Sequence, residues 1–363
     1  MCQIIPPQDA IAGRLFQATI QTLELFGVYL GRTLGLYKAL HRHGPLSARQ
    51  LAATARIAER YAWEWLEQQA VAGFLTVDQE PADGTPEDRV YRLPLEYTGV
   101  LVNDDDASHV APFAHMVVGI AGALPEVVTA YRTGGGVSYE RYGPDFRYGQ
   151  SGINRPAFLH DLTHHWLPAV PGLMARLESS PGFRIADVGC GGGWAAIGLA
   201  QAFPQADVRG YDLDEASIHD AARNAADKGV NVRFSTHDAA QMAGEGPFDL
   251  VLLLETLHDM SRPQEVLAAL GAALAPQGSI VIADERVEET FAAPGGEIER
   301  MMYGWSISHC LPVSMSEQPS AAIGTAIRPG IVQKLASDAG FASCEVLPIH
   351  NEFFRFYELK KAA

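Results

Sequence analysis

The chain has 363 residues, too many for one ordinary core and about right for two domains. Apolar residues make up 47% and charged residues 19%, which excludes a disordered chain and describes a globular one. Forty-three acids against 27 lysines and arginines give a net charge of −16, so phosphate and anionic lipid are repelled unless a local basic patch exists; only scattered pairs such as Lys360–Lys361 occur.

Cys2, Cys190, Cys310 and Cys344 form no CxxC pair, so a reducing compartment is expected, with neither a disulfide framework nor a zinc site. The opening MCQIIPPQDA lacks the basic start and apolar core of a signal peptide. No uninterrupted apolar run approaches the ~18–20 residues that span a bilayer. A cytoplasmic protein without a membrane partner is the expectation.

The first hundred residues read as helices followed by a small hairpin. Ile11, Leu15, Ile20, Leu23, Leu25 and Phe26 give the opening segment an apolar face, suited to a partner helix or to the chain's own core. A helical pattern beginning at Leu34–Leu40 stops at His43-Gly44-Pro45. Ser47 is the expected N-cap of a helix over 48–55, and 59–72 reads as an amphipathic helix closed by Gly73. Phe74–Val77 and Arg89–Leu93 are predicted strands around the polar loop QEPADGTPED. Three helices and a two-stranded wing make the order of a winged helix. A DNA reader needs lysine and arginine on its recognition helix and wing. Here ERYAWEWLEQQA sets Glu59, Glu64 and Glu67 against Arg60, and the wing holds Glu80, Asp83, Glu87 and Asp88 before Arg89. No nucleic-acid partner is expected.

From 104 to 180 the pattern is helical but broken. GGGVSYERYGPDFRYGQSG, at 134–152, is too aromatic for a simple flexible linker and reads equally as a lid or substrate wall and as a connector whose tyrosines pack. His160, His164 and His165 lie near Trp166 without an accompanying carboxylate pattern, which favours packing or pocket lining over a metal site.

After Pro181 strands and helices alternate. FRIADV (183–188), DVRGYD (207–212), NVRFST (231–236), FDLVLLLE (248–255) and SIVIAD (279–284) are buried-strand candidates, with helices over 194–202, 215–228 and 264–273. This alternation predicts an α/β fold, a mostly parallel sheet with helices on both faces. CEVLPI (344–349) and FFRFYEL (353–359) are expected to close it as an antiparallel hairpin. The expected domains are 1–103, a winged helix; 104–180, a helical connector and lid; and 181–363, the sheet domain.

Ligands of open α/β sheets bind beyond the carboxyl ends of the strands. Gly189, Gly191 and Gly193 occupy the first such turn, in DVGCGGG. The dinucleotide fingerprint GxGxxG needs a glycine where this chain has Trp194, so the GxGxG pattern after Asp187 favours a nucleoside without a pyrophosphate. Asp212, ending the second strand, suits the two ribose hydroxyls, and Asp238, just past the third, suits the exocyclic amine of adenine. Asp187, beneath the turn, suits the amino group of methionine, directly or through water. Opposite charges attract at close range, so an acidic pocket favours a sulfonium carrying an ammonium.

At this point the chain resembles class I methyltransferases of the small-molecule O-methyltransferase type with a winged-helix N-terminal domain. LGLYKALHRHGPLSARQLA and EWLEQQAVAGFLTV carry the likeness in the first half. DVGCGGG, GYDLD, HDA, FDLVLLLETLHDM and the closing AGF before two strands carry it in the second. The resemblance implies a Rossmann-like, seven-stranded sheet and S-adenosylmethionine as cofactor, with S-adenosylhomocysteine as product. It implies cofactor contacts from Asp187, Gly189, Gly191, Asp212 and Asp238, and Gly193 and Glu255 complete the expected set. It further implies that the N-terminal domain makes a homodimer.

Transfer from a sulfonium is an in-line displacement in which positioning in a dry pocket contributes most. A phenol, with pKa near 10, is mostly protonated at neutral pH, so a base helps, typically by about 10²–10⁴-fold. His258 and Asp259, in LHDM, match the His-Asp step of plant-type phenolic O-methyltransferases, with histidine as base. Glu285, in ADERVEE, matches the glutamate that orients it; the second orienting glutamate has no counterpart in GTAIRPGIVQKLASDAGF. The alternative is that His258 only shapes its loop. Tyr303, Trp305, His309 and Glu317 precede the last helix, where this architecture closes its substrate pocket, and Met301 and Met302 read as core. No metal is expected, because the carboxylate-and-asparagine cluster of magnesium-dependent catechol methyltransferases is not evident. The expected substrate is a small aromatic or polyketide-like metabolite, with oxygen the favoured acceptor. N- or C-methyl transfer, a winged-helix regulator sensing a nucleoside, and a cofactor-binding sheet with another chemistry are the rival readings.

Overall fold

In the computed structural model, residues 7–81 and 84–362 are described, so MCQIIP with Cys2, and Asp83 of the wing loop, lie outside the described residues. Contacts divide the chain into two units, Met1–Val118 with Tyr148–Ile153, and Gly119–Arg147 with Asn154–Ala363.

The first unit opens with α1 (Gln8–Thr33) and α2 (Leu36–His43), followed by β1 (Leu46–Ser47), α3 (Ala48–Ala55), α4 (Glu59–Val71), β2 (Thr76–Gln79), β3 (Val90–Arg92) and α5 (Thr98–Leu101). Ser47 caps α3 as its sequence predicts: its Oγ accepts from Gln50 N at 3.4 Å, and Gln50 Oε1 accepts from Ser47 N at 2.8 Å. The wing is three-stranded rather than two-stranded, in the order β1-β3-β2 and antiparallel throughout. A two-residue strand has no periodicity to read, which is why β1 escaped the sequence. The end of α1 lies hard against α2 and α4: Trp65 Nε1 donates to the carbonyl of Gly27 at 2.9 Å. The beginning of α1 is bare, with Ile11, Leu15, Phe16 and Leu23 between 44% and 66% exposed. On the wing Arg89 pairs with Glu80 at 3.0 Å and Glu67 at 2.9 Å, and Arg92 pairs with Asp78.

A 21-residue helix, α6 (Phe113–Thr133), follows. By length and composition it is apolar enough to cross a membrane, with a mean hydropathy of 1.5 over its best 18-residue window. Glu126 interrupts it, so no uninterrupted run revealed it in the sequence, and 39% of that window is buried inside the protein. Residues 134–152, read as a lid or as a connector whose tyrosines pack, are largely helical: a tight turn at Tyr139–Tyr142 leads into α7 (Gly143–Pro156). Glycine there serves close packing as well as turns; a Cβ on Gly136 would sit 2.2 Å from Ser316 N.

In the second unit α8 (Leu173–Ser179) precedes β4 (Arg184–Val188), α9 (Trp194–Ala202), β5 (Asp207–Asp212), α10 (Glu215–Lys228), β6 (Arg233–Thr236) and β7 (Phe248–Leu254). Next come α11 (Pro263–Ala273), β8 (Leu274–Glu285), α12 (Glu297–Trp305), α13 (Leu311–Ser314), α14 (Pro329–Asp338), β9 (Ser343–Val346) and β10 (Phe354–Lys360). The seven-stranded sheet runs β6-β5-β4-β7-β8-β10-β9, parallel except for β10, which is antiparallel to both neighbours. Ile185, Leu250, Val251, Leu252 and Leu253 are all 0% exposed, as central strands covered on both faces require. Successive strands step one way from β4 to β5 and the other way to β7. The crevice at this reversal opens at the carboxyl ends of β4 and β7, where the conserved logic of open sheets places a ligand.

A Cβ added to Gly31 would approach the Tyr37 and Trp65 rings to 2.5 Å and 2.6 Å. Gly31→Val should therefore cost about 1–3 kcal/mol by overpacking. Urea denaturation followed at the tryptophans checks this, and an unchanged midpoint would refute the tight α1 contact.

Candidate active site

Each of β4 to β8 carries a carboxylate within two residues of its carboxyl end. At the end of β4, Gly189 N and Cys190 N both donate to the carbonyl of Tyr211, at 2.7 Å and 3.0 Å, fastening the glycine turn to β5. Gly189 and Gly193 are tight as well as left-handed: a Cβ would meet Thr256 Cγ2 at 2.4 Å in one and Ala221 Cβ at 2.8 Å in the other. A Cβ on Gly191, whose φ is +49°, would meet nothing within 4 Å. Two glycines therefore shape the turn and the third leaves it open.

Around that opening stand the predicted acids. Asp187 is 2% exposed and accepts from Ala196 N at 3.2 Å. Burial pushes its carboxyl up to about 7, with Asp212 adding to the rise against the Ala196 hydrogen bond. Asp212 takes Asp214 N and Gly191 N, one on each oxygen, both at 2.8 Å, and burial raises it too. Two carboxylate oxygens have further lone pairs to offer a diol. Asp238 caps the turn after β6 by accepting from Ala240 N at 2.9 Å, and its other oxygen lies 3.4 Å from Arg262. Glu255 directly follows β7 at φ of +55°, a conformation rare outside glycine. Burial pushes its carboxyl up to about 7, against the hydrogen bond it accepts from Asn154 Nδ2. Neutral donors thus hold Asp187, Asp212 and Glu255 in place.

His258, Asp259 and Glu285 come together at the ends of β7 and β8, and His258 is 2% exposed. Its Nδ1 lies 2.5 Å from Asp284 Oδ1 and 3.1 Å from Glu285 Oε2, and its Nε2 lies 3.2 Å from Asp259 Oδ1. Burial opposes the ring's charge, but Glu285, Asp284 and Asp259 outweigh it and lift the imidazole well above its usual range. Asp284 is the partner that sequence reasoning overlooked, although it is an acid at the end of an otherwise apolar strand.

Three further residues went unassigned. Arg147 pairs with Asp220 of α10 at 2.9 Å. Tyr139 is half-buried, with its hydroxyl pushed up by burial and by Asp212 and Asp214, which sets it beside the β5 end. Asn154 meets Glu255, as above. His309 stacks on Phe146 with ring centroids 4.0 Å apart and meets the edge of Tyr142 at 4.5 Å; burial pulls its imidazole down to about 4. His160 and His164 have exposed side chains, and His164 Nδ1 contacts the His160 carbonyl at 2.8 Å, away from these acids. Cys190, Cys310 and Cys344 are free thiols.

Comparison with known proteins matches this frame. Residues 179–335 match the family described as "Methyltransferase domain", and residues 24–103 match an "Rv2258c-like winged HTH domain". The chain carries a methyltransferase domain. The cofactor of such a domain is S-adenosylmethionine. Curated relatives include the ubiquinone biosynthesis O-methyltransferases of Caulobacter sp. (strain K31), 35% identical over 104 residues, and Bordetella avium, 34% identical over 122 residues. Those matches cover 28% and 33% of this chain and 40% and 47% of the relatives, so the chain spans less than half of their length. Among solved structures, mitomycin 7-O-methyltransferase MmcR is similar with a TM-score of 0.71 at 16% identity, covering 98% of this chain and 99% of that one. Human N-acetylserotonin methyltransferase is similar with a TM-score of 0.66 at 18% identity over 100% of both chains. At those identities the likeness establishes the fold.

The methyltransferase domain's elevated carboxyls fix a sign. A group that holds its proton more tightly when folded makes the folded state lose stability as pH rises. For Asp187 the window runs from the ordinary carboxylate value of about 4 up to about 7. Without ligand, Asp187→Asn should gain on the wild type across that window, by up to about 4 kcal/mol. Urea melts at pH 4.5 and 7.5 test this, and parallel pH dependence in both proteins would refute it.

Proposed function

We propose that the protein is an S-adenosylmethionine-dependent methyltransferase acting on a small molecule, with oxygen the favoured acceptor. One observation carries the reading: Asp187, Asp212 and Glu255 are held by neutral donors around an open glycine turn, an arrangement that favours a cationic nucleoside and disfavours a pyrophosphate. The turn's first two N–H groups are already committed to Tyr211, and that of Gly191 to Asp212, so phosphate oxygens have few donors to meet.

In this reading Asp212 holds the ribose hydroxyls, Asp238 the adenine amine, and Asp187 and Glu255 the ammonium of the methionine moiety, with Gly189, Gly191 and Gly193 letting the backbone approach. S-adenosylmethionine supplies a methyl carbon on a sulfonium, whose C–S bonding pair stays with sulfur on transfer. His258, Asp259 and Glu285, with Asp284, form the acceptor end. Oxygen is favoured because this cluster can take a hydroxyl proton, and because curated relatives of the domain are named O-methyltransferases. A small aromatic or polyketide-like acceptor remains part of the proposal, as does a cytoplasmic location.

The same proposal makes the protein a homodimer through the bare apolar face of α1, where Leu15 and Phe16 are 66% and 65% exposed. The acidic partners of Arg89 and Arg92 argue against phosphate binding by the wing.

Calorimetry with S-adenosylmethionine should show saturable binding. Asp212→Ala should weaken it at least tenfold, which corresponds to about 1.4 kcal/mol. Heat-silent titrations with no competition by S-adenosylhomocysteine would overturn the assignment. Light scattering at micromolar concentration should report twice the mass of one 39.2 kDa chain, and a monomer would remove the dimer.

A further inference from the structure

Ten residues, Ala157–Trp166, continue α7 as a π-helix, and Leu167 N closes it by donating to the carbonyl of Leu162, five residues back. Most π-helical stretches are single turns, and they frequently mark functional sites. The inward side of this one is taken by Leu159, Leu162, Thr163 and Trp166, all buried. Its fit to α9 is close: a Cβ on Gly198 would stand 2.7 Å from the Phe158 carbonyl oxygen. The outward side carries His160, His164 and His165, all exposed, so packing does not account for them. The winding decides which side each one takes. In an α-helix residues five apart point to different faces, whereas i→i+5 winding brings the fourth and fifth positions along back beside the first.

The hydrogen bonding of His164 distinguishes this face from a plain polar one. Its Nδ1 lies 2.8 Å from the His160 carbonyl oxygen and 3.1 Å from Thr163 Oγ1. A carbonyl only accepts, so Nδ1 carries the proton and the lone pair of the neutral ring stands on Nε2. Metal-binding histidines are held in this way, with the second ring nitrogen donating to a backbone carbonyl or a carboxylate. The His160 ring is its neighbour, with centroids 6.4 Å apart. Zinc–nitrogen bonds of about 2 Å need the two rings to lean together, and exposed side chains change rotamer readily.

We propose that His160, His164 and His165 form a surface site for a divalent late first-row metal ion such as zinc. Each imidazole gives one nitrogen, His164 through Nε2, and water fills the remaining coordination. Imidazole nitrogen suits zinc, copper and nickel, whereas magnesium and calcium seek oxygen. All three ligands belong to one folded helical segment, so binding orders only side chains. The net charge of −16 draws cations toward the surface. A bound ion ties one turn of the π-helix to the next. It thereby steadies the segment that follows Asn154 and Arg155, the partners of Glu255 and the Trp194 ring.

Calorimetric titration of the full, metal-free chain with Zn²⁺ in a non-chelating buffer tests the site. Wild type should bind Zn²⁺ saturably, and excess Mg²⁺ should not compete. His160→Ala, His164→Ala and His165→Ala should each weaken one binding site by roughly tenfold or more. Where an alanine variant fails to fold, glutamine at the same position replaces it. With Cu²⁺ as the probe, the electron paramagnetic resonance spectrum of the first equivalent should show nitrogen splittings that are lost when His160 and His164 are both replaced. Absence of saturable Zn²⁺ binding in wild type overturns the proposal. An isotherm unchanged in any one of the three variants removes that histidine and overturns the three-ligand site. Neither S-adenosylmethionine nor an acceptor enters the test, so its outcome is independent of the activity proposed above.

Discussion

Carboxylates wholly or partly withheld from water at the ends of parallel strands set the terms for the rest of this structure. Asp187, Asp212, Glu255, Asp284 and Glu285 lie within or immediately after strands whose apolar neighbours are fully buried. Removing an anion from water is costly unless something answers its charge. Two kinds of answer appear along one sheet edge. At β4 and β5, and at Glu255 after β7, the answer is hydrogen bonds from neutral donors and a tendency to keep the proton, which leaves those groups ready for an external cation. Just beyond, around β8, the answer is internal: Asp284 is held below the usual carboxylate range chiefly by the His258 ring, against the effect of burial, whereas burial and Asp284 push Glu285 well above that range.

This division gives the crevice a direction. In the proposed function an electropositive nucleoside is attracted to the end whose acids no cation answers, and the acceptor meets the His258–Asp259 end. The strand reversal at β4 makes the two ends adjacent, because β7 lies beside β4 and β8 beside β7. The left-handed backbone of Glu255, joined through Thr256 and Leu257 to His258, is the hinge of that adjacency. A residue held in a rare conformation between a cofactor end and an acceptor end is where strain serves positioning.

What could be read from residues alone follows the range of the interactions involved. The Ser47 cap is local, with both halves within three residues, and it was legible. So were the buried strands, since runs such as FDLVLLL carry their own signal. The glycine turn was legible because Trp194 excludes the dinucleotide pattern at a fixed offset. Contacts set by strand register were not. Asp284 reaches His258 because Leu254 pairs with Ala283 across β7 and β8, and nothing near either residue announces that pairing. Asn154 meets Glu255 across a hundred residues of chain. In 134–152 glycine and tyrosine signal a loop, yet tertiary packing turns them into helix, with Tyr142 and Phe146 buried. The third wing strand was too short to carry any pattern.

The central claim is that the crevice surrenders protons to admit a cation. Asp187 and Glu255, both pushed up to about 7, are partly protonated in the free protein at neutral pH. An ammonium placed among them favours the charged carboxylates. Calorimetric titration of S-adenosylmethionine at pH 7.0, repeated in buffers of different ionisation enthalpy, measures the protons exchanged on binding. The account predicts net proton release that shrinks in Asp187→Asn and fades above pH 8.5. Tight binding with no proton release at pH 7.0, or with proton uptake, would contradict it.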